Sequence, residues 1–152
     1  MNKLEISAYE LAQRFVGVSE VPGTTSNPQV LAMLRLDNKW PEDDSVPWCS
    51  AFTNYITWLL RLPRSKSLRA RSWLLVGEVI ELDKARAGFD VVILKRGKGT
   101  QPGPDVIDAP GHVGFFAGSE GSDVLVLGGN QGDTVSIARY AKSRVLGIRR
   151  LR

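Results

Sequence analysis

The sequence has 152 residues, 43% hydrophobic and 24% charged, the balance of an ordinary globular chain long enough for one domain with a real core. No apolar stretch is long enough to cross a bilayer, and one cysteine with one histidine exclude both an intrachain disulfide and a Cys/His zinc site. The net charge of +4 and pI of about 9.5 favour an anionic partner, whether nucleic acid, lipid headgroup or cell wall.

The first half reads as helical. Ser7 followed by Glu10 is a capping-box pattern, with Ile6 and Leu11 at the staple positions. Ala8, Leu11, Ala12 and Phe15 then form one apolar face that Gly17 can end. Asn27-Pro28, a cap followed by proline at the first helical position, opens a second short helix carrying Val30, Leu31 and Leu34. In the third helix Phe52, Tyr55, Ile56 and Leu59 follow i, i+3, i+4, i+7 spacing, and Pro63 blocks continuation. Cys49 lies three residues before Phe52, in the first turn and on the inward face. A further helix is expected over 71–79. Arg61, Arg64, Lys66, Arg69 and Arg71 gather in this region, and Arg149, Arg150 and Arg152 at the end; the ordinary reading of such runs is a solvated face.

The second half reads as strands at 91–94, 112–117, 124–127, 135–137 and 145–148, most of them separated by Gly, Ser, Asn and Asp. The segment 96–111, rich in Gly, Pro and Asp, is expected to be a loop. Helices first and strands second predict an α+β domain spanning 1–152, its N-terminal helices packed on a C-terminal antiparallel sheet.

Chemistry concentrates at few residues. The N-terminus of a helix carries unpaired N–H groups and partial positive charge, which favour a thiolate at Cys49 and suit an oxyanion beside it. The competing reading of Cys49 is a small buried core residue. His112, at the start of a strand, is the one side chain whose unperturbed titration suits a base for that thiol, or else a structural histidine at a strand end. A hairpin turning within 118–123 places Gly129 opposite His112 and Asn130 one residue away. Asn130 is thus a candidate to orient the imidazole, completing a Cys-His-Asn set, and equally a turn residue ahead of Gly132-Asp133.

Val46-Pro47-Trp48-Cys49-Ser50-Ala51-Phe52 resembles the nucleophile motif of the CHAP and NlpC/P60 cell-wall hydrolases, and Gly111-His112-Val113-Gly114-Phe115 resembles their histidine motif. Ser67-Leu68-Arg69-Ala70-Arg71-Ser72-Trp73-Leu74, Asp90-Val91-Val92-Ile93-Leu94 and Leu127-Gly128-Gly129-Asn130-Gln131 resemble the segment after the cysteine helix, the first core strand and the next strand end. The order and spacing fit over roughly 5–150, within a small CHAP-like family of phages and prophages. The resemblance implies a papain-like fold, a single catalytic domain without a separate wall-binding domain, and a cysteine peptidase or amidase acting on peptidoglycan. It gives the nucleophile role to Cys49, the base to His112 and the orienting role to Asn130. Trp48, Trp73 and Gln131 are substrate-binding candidates, the ordinary reading of the two tryptophans being core. Many CHAP domains carry glutamate two residues before that asparagine, where this chain has Gly128.

Asp37, Glu42, Asp43 and Asp44 lack a calcium-ligand spacing, so neither metal nor cofactor is expected. No aromatic-basic motif points to nucleic acid. The expected partner is bacterial peptidoglycan, without stable membrane insertion, acted on by a monomer. The opening Met1-Asn2-Lys3-Leu4-Glu5-Ile6 lacks the apolar core of a signal peptide, so the chain is expected in the bacterial cytoplasm until released to the wall, as for a phage endolysin. A secreted antibacterial amidase of the same fold, or a non-catalytic basic wall- or nucleic-acid-binding module, is the alternative.

Overall fold

A computed structural model describes residues 4–22 and 25–152; residues 1–3 of the opening stretch lie outside it. Helix α1 (Ala8–Gln13) starts at a complete capping box: Ser7 Oγ accepts the Glu10 N–H at 3.1 Å, and the Glu10 carboxylate accepts the Ser7 N–H at 2.7 Å. Helix α2 (Pro28–Leu34) follows the Asn27 cap, whose Oδ1 accepts the Gln29 N–H. Helix α3 (Cys49–Leu59) ends where Arg61 adopts a left-handed φ of 55°, two residues before Pro63.

The helix expected over 71–79 is replaced by a 3-10 segment, Ala70–Leu75, and a short strand, β1 (Glu78–Ile80). Gly77, at φ 77°, breaks the run, and β1 finds its backbone partners on the last strand instead. The remaining strands are β2 (Asp90–Lys95), β3 (Gly111–Glu120), β4 (Asp123–Gly128), β5 (Ser136–Ala141) and β6 (Val145–Arg150). All pair antiparallel in the order β1-β6-β2-β3-β4-β5. The domain is therefore α+β, with its helices before a six-stranded antiparallel sheet. β5 begins at Ser136, one residue later than the start of the strand expected at 135–137. Val135 instead exchanges backbone bonds with the stretch after α1, donating to Val18 O and accepting from Gly17 N.

Side chains alternate along β2 and divide between two cores. Val91 and Ile93 join Val113, Phe115 and the three helices; Val92 and Leu94 join Phe116, Val124, Val126 and Ile148 on the other face. Burial on both faces explains why β2 reads as an unbroken apolar run. Phe52 is the keystone of the helix-side core: wholly buried, it meets Phe15 and Phe115 edge to face at 6.1 and 6.3 Å. One turn upstream of Phe52, Cys49 is thereby held against β3.

Candidate active site

Cys49 is the first residue of α3, and no side chain caps that terminus. The first N–H bonded within the helix is that of Phe52, to Trp48 O, so the amides of Cys49, Ser50 and Ala51 face the first turn without helical partners. The sulfur is electrostatically coupled to His112 and to the backbone N–H of Val113. Val113 lies beyond the last β3–β4 rung, Phe115↔Leu127. Cys49 and His112 retain only 3% and 7% of their exposure, so a substrate carbonyl must reach the sulfur through a small opening.

The electrostatics of the pair agree from both sides. Burial alone raises the Cys49 pKa, but the His112 hydrogen bond and charge, the Val113 N–H and the positive Arg96 together carry it below the ordinary thiol value. Burial lowers the His112 pKa, yet the bond to Cys49, its charge and the bond to Gln131 bring it above the ordinary imidazole value. Both directions favour passing the thiol proton to the imidazole.

The residue that orients His112 is Gln131, not Asn130. Gln131 Oε1 lies 2.8 Å from His112 Nε2. Its Nε2 donates to Val126 O at 3.1 Å and to Ser136 O at 2.7 Å, and Tyr140 OH donates to Oε1 at 3.1 Å. Turning the amide over would face its oxygen to two carbonyl oxygens, so the network admits one orientation. His112 Nε2 therefore carries a proton, leaving Nδ1 for the sulfur.

Asn130 misses the role because the strand does not continue to it. It adopts a left-handed φ of 58°, and Gly132 and Asp133 follow at 64° and 60° in a tight turn closed by Gln131 N–H to Thr134 O. Extrapolating the ladder from β4 fails at that reversal, and the next side chain swings onto the imidazole. Two glycines make room. A Cβ on Gly128 would lie 3.0 Å from Gln131 Oε1 and 3.4 Å from His112 Nε2; one on Gly129 would lie 2.8 Å from both the Trp48 ring and Phe52 Cβ. Gln131 thus occupies the space beside Gly128.

Trp48 and Trp73 do not line a groove. Both are wholly buried, with Trp48 Nε1 donating to Glu20 at 2.7 Å and Trp73 Nε1 to Ser50 Oγ at 2.9 Å. Ser50 in turn donates to Ser67 O, tying the loop after α3 to the first turn of that helix. Burial raises the Glu20 pKa, opposed by the Trp48 bond and aided by Asp133, Asp44 and Asp43.

The basic cluster also divides. Arg61, Lys66 and Arg69 are exposed and Arg64 pairs with Asp37 at 2.6 Å, but Arg71 is wholly buried. Its guanidinium donates to the carbonyls of Pro102, Gly103, Val106 and Pro110, and thereby shapes the loop that leads into Gly111-His112. Asp44 accepts from Val21 N and Asn27 N. Among the described residues no group of three or more acidic, His or Cys side chains is arranged to hold a metal, and no helix is long and apolar enough to cross a membrane.

Tyr140 was not among the expected site residues. Its ring lies 5.4 Å from the imidazole, tilted by 35°. Burial, with the Cys49 charge, pushes its pKa up to about 12, so it remains a donor to Gln131 across the working pH range. The sequence signal for it is faint: an aromatic on a strand whose pairing partner, Val124, belongs to the core behind the histidine strand.

No protein-family model matches this sequence, and no curated protein matches it. Among solved structures the chain is similar to NlpC1 from Trichomonas vaginalis, with 16% sequence identity and a TM-score of 0.47 over 95% of this chain. That alignment covers 42% of the other chain, so this protein spans less than half its length.

Proposed function

We propose that this protein is a cysteine hydrolase, papain-like in the layout of its site, that cuts an amide bond in the peptide stems of bacterial peptidoglycan. The observation that carries the reading is Cys49 at a helix N-terminus, electrostatically coupled to a His112 whose Nε2 meets a Gln131 amide locked in one orientation. A merely structural cysteine has no need of a base, and a merely structural histidine has no need of a fixed tautomer. The amide class follows from the chemistry of a thiolate beside unpaired helix N–H groups, and the peptidoglycan class from the resemblance of 46–52 and 111–115 to cell-wall hydrolases.

In the proposed reaction His112 Nδ1 accepts the Cys49 proton and the thiolate attacks the amide carbonyl. The free N–H groups at the start of α3 hold the oxyanion. The imidazolium gives its proton to the leaving amine, and water then releases the thioester acyl group. Gln131 keeps Nε2 protonated throughout, so Nδ1 is the nitrogen that exchanges the proton. The biological setting that fits is a phage endolysin.

Purified peptidoglycan digested with wild type and with Cys49→Ala, followed by mass spectrometry, tests the reading. New fragments from wild type alone are expected, and their new termini identify the bond as muramoyl–alanine or interior to the stem. Identical fragments from both proteins, or none from either across several wall types, would overturn it.

A further inference from the structure

A second cationic group stands beside the reactive pair and has no role in the chemistry described above. In the β2–β3 ladder Leu94 lies opposite His112 and Lys95 opposite Gly111, so Arg96, one residue past the last rung, shares the sheet face of His112 as its diagonal neighbour. Diagonal residues of an antiparallel pair have Cβ atoms roughly 7–8 Å apart, within reach of a long side chain. Arg96 is exposed, and among the described residues it enters no ion pair, although Arg64, Arg139 and Arg150 all do.

Its backbone is nonetheless held in place. Arg144 Nη2 donates to Lys95 O at 2.9 Å and to Gly97 O at 3.1 Å, clamping the chain on both sides of Arg96. The charge is felt at the site: it lowers the pKa of Cys49, His112 and Tyr140 together. A fixed base, a free guanidinium and a position on the histidine's face are the features of an anion receptor beside a reactive centre. Guanidinium is also the cation best matched to a carboxylate.

We propose that Arg96 is the receptor for a substrate carboxylate next to the scissile amide, so that the enzyme selects stem peptides in which that carboxylate is free over those in which it is amidated. This rests on the proposed hydrolase reading and adds the substrate feature that the site selects. The carboxylate pairs with Arg96 beside the reactive pair and brings the neighbouring carbonyl to the sulfur. An amidated stem keeps the shape but loses the charge.

The test uses two synthetic stem tripeptides that differ only in having a free carboxylate or a carboxamide on the residue whose amide is cut. Binding is measured on full-length Cys49→Ala protein by calorimetry, and turnover on protein with Cys49 intact. The free acid is expected to bind about tenfold tighter and to show a similarly higher kcat/KM, as for one charge-assisted contact near solvent. Arg96→Gln should bring both ratios close to one, and Arg96→Lys should keep a preference in the same direction. An equal preference in wild type and Arg96→Gln, or no preference in wild type, would overturn the assignment. Failure of the hydrolase reading is distinguishable: it leaves whole peptidoglycan undigested, while the binding ratio still decides the role of Arg96.

Discussion

The Gln131 amide meets His112 Nε2 at 2.8 Å while its other end is tied to the Val126 and Ser136 carbonyls, so one side chain sets the tautomer, tilt and position of the imidazole at once. The supports are themselves backbone, from the end of β4 and the start of β5, and do not depend on a further side chain's rotamer. Tyr140 closes the remaining side by filling the second lone pair of Oε1.

Gln131→Ala is therefore expected to lower kcat on the order of 10–100-fold with a small change in KM, since it removes orientation and leaves the nucleophile in place. Asn130→Gly should leave kcat within about twofold, because glycine accepts the left-handed φ of 58° and no Asn130 contact supports the base. Steady-state kinetics of the two variants side by side decide between the two residues; a larger loss in Asn130→Gly would return the orienting role to that position.

The pH dependence follows from the directions of the two shifts. The Cys49 pKa is lowered, so the thiolate survives below the ordinary thiol value and is lost as pH falls through the lowered one. The His112 pKa is raised, so the imidazolium persists above the ordinary imidazole value and is lost as pH rises through the raised one. The activity profile should therefore have its acid limb below the ordinary thiol value and its alkaline limb above the ordinary imidazole value. Iodoacetamide alkylation of Cys49 reads the acid limb directly. His112→Ala removes the main opponent of burial and should move that limb to higher pH; an unchanged profile would detach the histidine from the thiol.

Arg71 is expected to matter far from the chemistry. It is buried, donates to four loop carbonyls and faces no carboxylate among the described residues. Arg71→Met strands those carbonyls and should cost on the order of 3 kcal/mol. In a chain of this size that corresponds to a thermal midpoint lower by about 6–12 °C. Calorimetric unfolding measures it; a loss below about 1 kcal/mol would mean the loop holds its shape without the guanidinium.

These residues mark the limits of what the sequence could convey. Cys49 and His112 are legible because their positions follow from periodicity: a cysteine one turn before Phe52 lies in the first turn of α3, and a histidine after Gly111 opens β3. The α+β order is legible for the same reason. Gln131 was placed among substrate contacts because strand extrapolation carries no information across a left-handed residue, and the reversal at Asn130 moves the following side chain onto the imidazole. Arg71 looked like one member of a charged run because its partners are backbone carbonyls 31 to 39 residues away, which leave no compositional trace. The tryptophans take the core reading, because Glu20 and Ser50 supply inside the polar partner that an indole N–H needs, and the sequence does not say so.

The exchange between Gly128 and Gln131 provides the sharpest test of how the site is built. A glutamate at position 128 is the alternative partner for His112, but here the space is filled by Gln131, whose Oε1 would lie 3.0 Å from any Cβ at 128. Two side chains do not fit, so Gly128→Glu alone should displace Gln131 and lower kcat at least as far as Gln131→Ala. Gly128→Glu combined with Gln131→Ala removes the clash and offers a carboxylate to His112 Nε2–H. A carboxylate acceptor should also raise the imidazole pKa further and shift the alkaline limb of the activity profile upward. The double variant is expected to recover about tenfold or more over Gln131→Ala, so the two substitutions are strongly non-additive. A double variant no better than the single would mean that the backbone at Gly128 is not placed for a carboxylate to reach the ring, and that Gln131 is the one solution this turn allows.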